Sequence, residues 1–304
     1  MTGALKVGLV LPMFSGDMTK VLTAARSAEA LGYDGVFGFD HFFPPGGAPD
    51  HPALEAFTTL AAVAASTERV KIGTLVTRAN LRPPGLVAKM TSGIDLISGG
   101  RMVLGIGTGD PIDEPEHRAF GFRTLSTQER RANLAETVTA MRAMFRGEPY
   151  EGGEWVPRID GPILPPPSQP EGPPIWIGAQ ADEVVKLAAR TADGWNGWGM
   201  HPSRFHRKVD LLRGEAAQAD REVEATWAGI VLVGEDEEEA RRLHEARLKK
   251  NMDALAWAGP ADRFVEFLRT LADAGASWAI LVLAGPGDRR AMLAERVLPE
   301  LAVG

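Results

Sequence analysis

Residues 35–41 read Gly35-Val36-Phe37-Gly38-Phe39-Asp40-His41. Val36, Phe37 and Phe39 are strand formers, and the run is short and almost wholly apolar, as a strand buried on both faces requires. A helical pattern closing on Leu31-Gly32 precedes it, and it stops at a carboxylate beside an imidazole. In α/β proteins the carboxyl end of a buried strand is where chemistry is placed. Taken alone the pair has two readings. Either Asp40 caps the next turn and His41 fills a gap, or the two serve a site.

Working outward, strand-like and helix-like runs alternate. Lys6 to Leu11 is a first strand closed by Pro12, and Met18 to Leu31 carries Val21, Leu22, Ala25, Ala28 and Leu31 on one helical face. After the Gly/Pro-rich stretch from Phe42 to Pro52, the pattern predicts a helix over 53–66, a third strand over 70–76, a helix over 83–97 and a fourth strand over 101–106. The rhythm then pauses. Pro111 to Phe122 reads as an irregular acidic loop, Ser126 to Phe145 as an amphipathic helix, and Gly147 to Pro174 as a small hairpin followed by an extended proline-rich segment. It resumes with strands at 175–178, 193–197, 225–233 and 278–283. Helices follow at 181–192, 202–219, 235 to about 250, 260–274 and 288–301.

Eight βα units predict a (β/α)8 TIM barrel of class α/β, one domain over 1–304, with an insertion after strand 4 at about 108–174 that serves as a lid. An open doubly wound sheet is the alternative.

Composition narrows the function classes. The chain has 304 residues, 44% hydrophobic and 24% charged, enough for a large core. With no cysteine there are no disulfides, thiolate metal sites or cysteine nucleophiles. A net charge of −7 without a basic cluster argues against nucleic acid. No charged-then-apolar leader follows Met1-Thr2-Gly3 and no window nears 18 apolar residues, so the expectation is a cytoplasmic protein without membrane partners.

Four motifs stand at the carboxyl ends of strands two to five: Phe39-Asp40-His41-Phe42, Gly73-Thr74-Leu75-Val76-Thr77, Gly105-Ile106-Gly107-Thr108-Gly109-Asp110 and Ile177-Gly178-Ala179-Gln180. Together with Ser98-Gly99-Gly100-Arg101 and Glu114-Pro115-Glu116-His117-Arg118, the chain resembles the bacterial luciferase-like superfamily, and within it the deazaflavin-dependent oxidoreductases. The resemblance runs from Lys6 to the end and is strongest from Leu31 to Gly121. It implies a barrel holding coenzyme F420, or FMN in the alternative, often as a homodimer.

By the same resemblance, Leu75-Val76 corresponds to a bulge with a non-prolyl cis peptide that backs the cofactor ring, with Thr77 beside it. Gly107-Thr108-Gly109 passes close to the ring. Gly178-Ala179-Gln180, between a strand and a helix, matches the phosphate contact, where free backbone N–H groups make an anion site. Asp40 contacts the cofactor, His41 works on the substrate hydroxyl and Asp110 aligns with an acidic residue near the ring, so His41 and Asp110 are the expected base and acid. Two departures count against sugar-phosphate oxidation. Pro45 stands where sugar-phosphate dehydrogenases of the family carry tryptophan, and Asp113 where they carry asparagine.

Weaker candidates follow. Trp195, Trp198 and His201 could wall a substrate pocket, Trp195 equally the core. Arg289 and Arg290 could meet an anionic tail or start a helix facing water. His51, His117, His206 and His244 have no metal-triad spacing, and no metal is expected. The leading function is hydride transfer between F420 and a small organic substrate, an alcohol or carbonyl or an activated C=C or C=N. An FMN monooxygenase using dioxygen is the enzyme alternative. A non-catalytic flavin-binding protein is the alternative of another class, disfavoured because Asp40, His41 and Asp110 are all present.

Overall fold

The computed structural model describes residues 4–47, 49–249 and 256–301. Ten strands alternate with helices: β1 (Lys6–Val10), β2 (Gly35–Gly38), β3 (Lys71–Thr74), β4 (Thr77–Arg78), β5 (Met102–Gly107), β6 (Ile175–Gly178), β7 (Gly194–Trp198), β8 (Glu224–Gly234), β9 (Trp257–Pro260) and β10 (Trp278–Leu283). Every named pairing is parallel. Eight strands run in the order β1, β2, β3, β5, β6, β7, β8, β10, and β10 pairs with β1 on one side and β8 on the other, which closes the barrel. The short β4 attaches to β5, and β9 extends the far end of β8. The helices are α1 (Met18–Ala30), α2 (Ala56–Ser66), α3 (Pro84–Ser98), α4 (Glu114–Phe120), α5 (Thr127–Phe145), α6 (Asp182–Thr191), α7 (Pro202–Gln218), α8 (Glu237–Leu248), α9 (Ala261–Asp273), α10 (Arg290–Arg296) and α11 (Leu298–Leu301). Among the described residues no helix is long and apolar enough to cross a membrane.

The stretch at 35–41 has the alternation of a doubly buried strand. Val36 joins the layer between strands and helices, whereas Phe37 points into the barrel. Inside, Phe37, Trp176 and Trp278 form a triangle with ring centroids 5.8–5.9 Å apart and close the barrel floor. Neighbouring strands make room with glycine. A Cβ on Gly8 would lie 2.8 Å from the Phe37 ring, one on Gly73 2.9 Å from it, and one on Gly194 2.4 Å from the Trp176 ring. The glycines in these strands are therefore a packing requirement of three large rings.

Arg101, from the Ser98-Gly99-Gly100-Arg101 motif, pins the amino-terminal ends of the strands. Its buried guanidinium donates to the carbonyls of Ser98, Ala64, Thr67 and Val70 and to the Thr67 hydroxyl, at 2.7–3.0 Å.

Three expectations need correction. Residues 111–122 are not irregular: Pro111–Asp113 is a 3-10 turn and 114–120 is α4, with Pro111 and Pro115 in first-turn positions where no N–H partner is lost. The segment 147–174 does form an antiparallel bridge, Tyr150 to Ile159, but it does not roof the barrel mouth. It packs outside α3 and α5. The Glu136 carboxylate takes the N–H groups of Glu154, Trp155 and Val156, and Gln169 binds Asp95. Of the insertion, residues 108–113 and, from the start of α5, Thr127, Arg130 and Arg131 line the mouth. The closing helix is broken at Val297, and α8 ends at Leu248; Lys250 lies outside the described residues.

Candidate active site

A cavity of about 1990 Å³ opens at the carboxyl ends of the barrel strands. Its wall includes Leu75 and Val76, residues 107–113, residues 178–181, His41 and Trp198. The Leu75–Val76 peptide is cis, as the resemblance implied. Val76 sits in a cradle of glycines: a Cβ on Gly107 would come within 3.0 Å of its methyl group, and one on Gly178 within 3.1 Å. Both glycines are explained by Val76, in addition to any ligand that passes them. At Gly105 a Cβ would lie 2.0 Å from the Thr74 carbonyl oxygen, so β3 and β5 can approach here only without a side chain.

His41 stands on this wall, its side chain about one-fifth exposed. Its Nδ1 lies 2.7 Å from Glu116 Oε1 on α4. The Nε2 atom has no partner among the described residues and is not sealed from solvent. A carboxylate on Nδ1 favours the tautomer with the proton there, leaving the Nε2 lone pair free to accept. Glu116 also takes the Phe42 N–H at 3.0 Å and Arg78 Nη2 at 2.7 Å. Burial works to raise the Glu116 carboxyl. The hydrogen bonds from His41 and Phe42 and the charges of His41 and Arg78 outweigh it and hold the group below the usual carboxylate range.

Asp113 is the second acid at this point. It lies 3.5 Å from Arg78 Nη1 and 3.8 Å from His41 Nδ1, and accepts the Asp110 N–H at 2.7 Å. His41, Asp113 and Glu116 bring ligand atoms within 4.8 Å of one another, the spacing of a metal triad. The cation that serves both carboxylates is the Arg78 guanidinium. A divalent metal would have to displace a buried arginine that is already paired.

The expected residues divide. His41, Asp110, Leu75, Val76, Gly107, Thr108, Gly109, Gly178, Ala179 and Gln180 all line the cavity. Burial pushes the Asp110 carboxyl up, and Asp113 beside it pushes further, against the pull of Arg130 and His41. Asp40 and Thr77 do not line it. Asp40 is buried behind the wall, with Thr77 Oγ1 at 2.6 Å and Arg82 reaching both its oxygens at 2.6 and 3.0 Å. Asp40 and Thr77, expected to touch the cofactor, are engaged with each other and Asp40 also with Arg82. Trp195 is fully buried against Phe205, hence core, and His201 caps α7 through Ser203 away from the cavity. Arg289 and Arg290 reach the cavity but are held by carboxylates, Arg289 by Glu239 and Arg290 by Asp288.

Arg130 has no carboxylate partner among the described residues, and its Nε is buried without an acceptor. The N–H groups of residues 180–183, at the start of α6, have no acceptor among the described residues, and α6 has no side-chain cap. Glu116, Arg78, Arg82 and Arg130 were not singled out in the sequence. The available signal was the Glu114–Arg118 motif, which marked α4 without saying which side chain turns inward.

The comparisons fit this geometry. A protein of Intrasporangium calvum named F420-dependent glucose-6-phosphate dehydrogenase is 30% identical over 313 residues, covering 91% of this chain and 92% of its own. One of the same name from Amycolatopsis mediterranei is 30% identical over 336 residues, covering 98% of each. An F420-dependent secondary alcohol dehydrogenase in complex with an F420-acetone adduct superposes with a TM-score of 0.84 over 98% of this chain and 99% of its own. The coenzyme F420 dependent tetrahydromethanopterin reductase from Methanopyrus kandleri does so at 0.81 over 98% and 99%. At 18% and 19% identity the last two establish likeness of fold. The family described as luciferase-like monooxygenase matches residues 5–292. A match that runs nearly end to end assigns the chain: it belongs to the luciferase-like monooxygenase family.

Proposed function

We propose that the chain is an oxidoreductase that binds coenzyme F420 and moves a hydride between it and a small organic substrate, with His41 handling the proton. The observation that carries this reading is His41, anchored at Nδ1 by Glu116 and open at Nε2 on the wall of the cavity that Val76 also lines. The names of the full-length relatives support the cofactor.

The residues present fit it. Val76 in its glycine cradle gives a planar ring an apolar backing. Arg130 and the N–H groups of residues 180–183 suit an anionic tail. When bound, F420 supplies a two-electron hydride carrier. In the oxidative direction that carrier would take up the hydride from the alcohol carbon, and His41 Nε2 would accept the hydroxyl proton as the alcohol becomes a carbonyl. The hydrogen bonds from His41 and Phe42, with Arg78 beside them, hold the Glu116 carboxyl below the usual range, and Glu116 would stabilise the imidazolium formed. In the reductive direction His41 gives the proton back.

A side-by-side fluorescence titration with F420 and FMN checks the cofactor. F420 is expected to bind at least tenfold more tightly; tighter binding of FMN would overturn the proposal. His41→Ala should then lower the single-turnover rate with saturating F420 by roughly 10²–10⁴ with F420 affinity nearly kept. An unaltered rate in that variant removes His41 from the chemistry.

A further inference from the structure

Beside the polar cluster at His41 the cavity carries a run of aromatic rings. Phe14 stacks on Phe39 with centroids 5.7 Å apart, and Phe39 meets Trp198 edge to face at 5.8 Å. His41 lies 6.3 Å from both phenyl rings. Ile230, Val282 and Leu283, from β8 and β10, continue this surface around the cavity.

Among the described residues, most of the arginines that line the cavity are paired with carboxylates. Arg78 faces Glu116 and Asp113, and Arg290 chelates Asp288. Arg289 binds both oxygens of Glu239, at 2.8 and 3.2 Å, with Glu235 at 3.7 Å. Arg131 pairs with Glu183, and Lys20 is an exposed residue beside Asp17. Arg130 alone among these arginines has no carboxylate partner among the described residues, and it is the one proposed to meet the anionic tail. Among the described residues, a phosphate placed against Phe39 and Trp198 would have to take a cation from the carboxylate that now holds it, at a desolvation cost that an uncharged substrate does not meet.

We infer that the substrate is an uncharged, predominantly apolar alcohol or its carbonyl counterpart, seated on Phe14, Phe39, Trp198 and Ile230, and that the enzyme is not a sugar-phosphate dehydrogenase in spite of the names of its relatives. This rests on the F420 reading for its chemistry but not for its binding. Pro45 in place of the sugar-phosphate enzymes' tryptophan, and Asp113 in place of their asparagine, agree with it.

The test measures binding and turnover separately. Calorimetry of the protein with and without F420 is run against a series of 2-alkanones of increasing length and against glucose 6-phosphate. The ketones should bind, tightening about fourfold per added methylene until the wall is filled, and glucose 6-phosphate should not. In F420-loaded protein kcat/KM should follow the same series. Ile230→Lys should weaken the longer ketones at least tenfold, with F420 affinity unchanged. Binding of glucose 6-phosphate in preference to the ketones, or of neither, overturns the inference even where F420 binds normally. Failure of F420 to bind overturns the cofactor proposal and leaves the ketone arm to decide this one.

Discussion

Glu116 binds an imidazole, a backbone N–H and an arginine from one almost fully buried position, the first two from the loop after β2 and the third from β4. Its carboxyl is held below the usual range, so the stability it contributes is present above that range and drains away as pH falls through the lowered value. Glu116→Gln leaves Arg78 buried without its closest anion and should cost about 3–5 kcal/mol at neutral pH. The difference in Tm between wild type and variant should shrink on acidification, because the wild-type group is then neutral too. A difference that stays constant across the acid range would refute this account. The role was not legible from sequence: Arg78 and Glu116 lie 38 residues apart, and no local spacing shows that they meet. His41 was legible because it ends an apolar strand. Asp40 sits in the same motif and turned out to belong to Arg82, a residue 42 positions away. A motif fixes where a residue stands; which neighbour claims its charge is a tertiary matter.

Among the elements, the strands were legible and the insertion was not. Doubly buried strands leave a continuous apolar signature, so each of the eight barrel strands could be placed within a residue or two. The helix α4 was read as an irregular acidic loop, although Pro111 and Pro115 stand in first turns, where a proline breaks nothing. The turn from β6 into α6 is where an element-scale prediction belongs. Gly178→Ala presses a methyl on Val76 at 3.1 Å and tests packing alone. Gly178→Asp adds a carboxylate at the proposed phosphate site. The aspartate variant should bind F420 more weakly than the alanine variant by about 1–3 kcal/mol in a fluorescence titration, both remaining folded. Equal affinities would take the phosphate away from this turn.

On the scale of the whole molecule, regular alternation of strand and helix was enough to give the closed barrel, and the glycines facing Phe37 and Trp176 are the trace that its interior left in the sequence. Phe37→Ala should destabilise the protein by about 3–5 kcal/mol in denaturant unfolding, since the surrounding strands cannot collapse into the space. A loss under 1 kcal/mol would mean that the ring is not a structural plug. The same plug governs traffic. With three rings and Lys6 packed over Trp278 across the bottom, a molecule that enters the barrel has to leave by the door it came in by. Two ligands that share one door form a queue: whichever is bound deeper enters first and departs last. Steady-state kinetics should therefore be sequential and ordered, with one substrate's off-rate suppressed by saturation with the other in an isotope-trapping experiment. Random order, with each ligand escaping freely past the other, would mean that the barrel has a second exit.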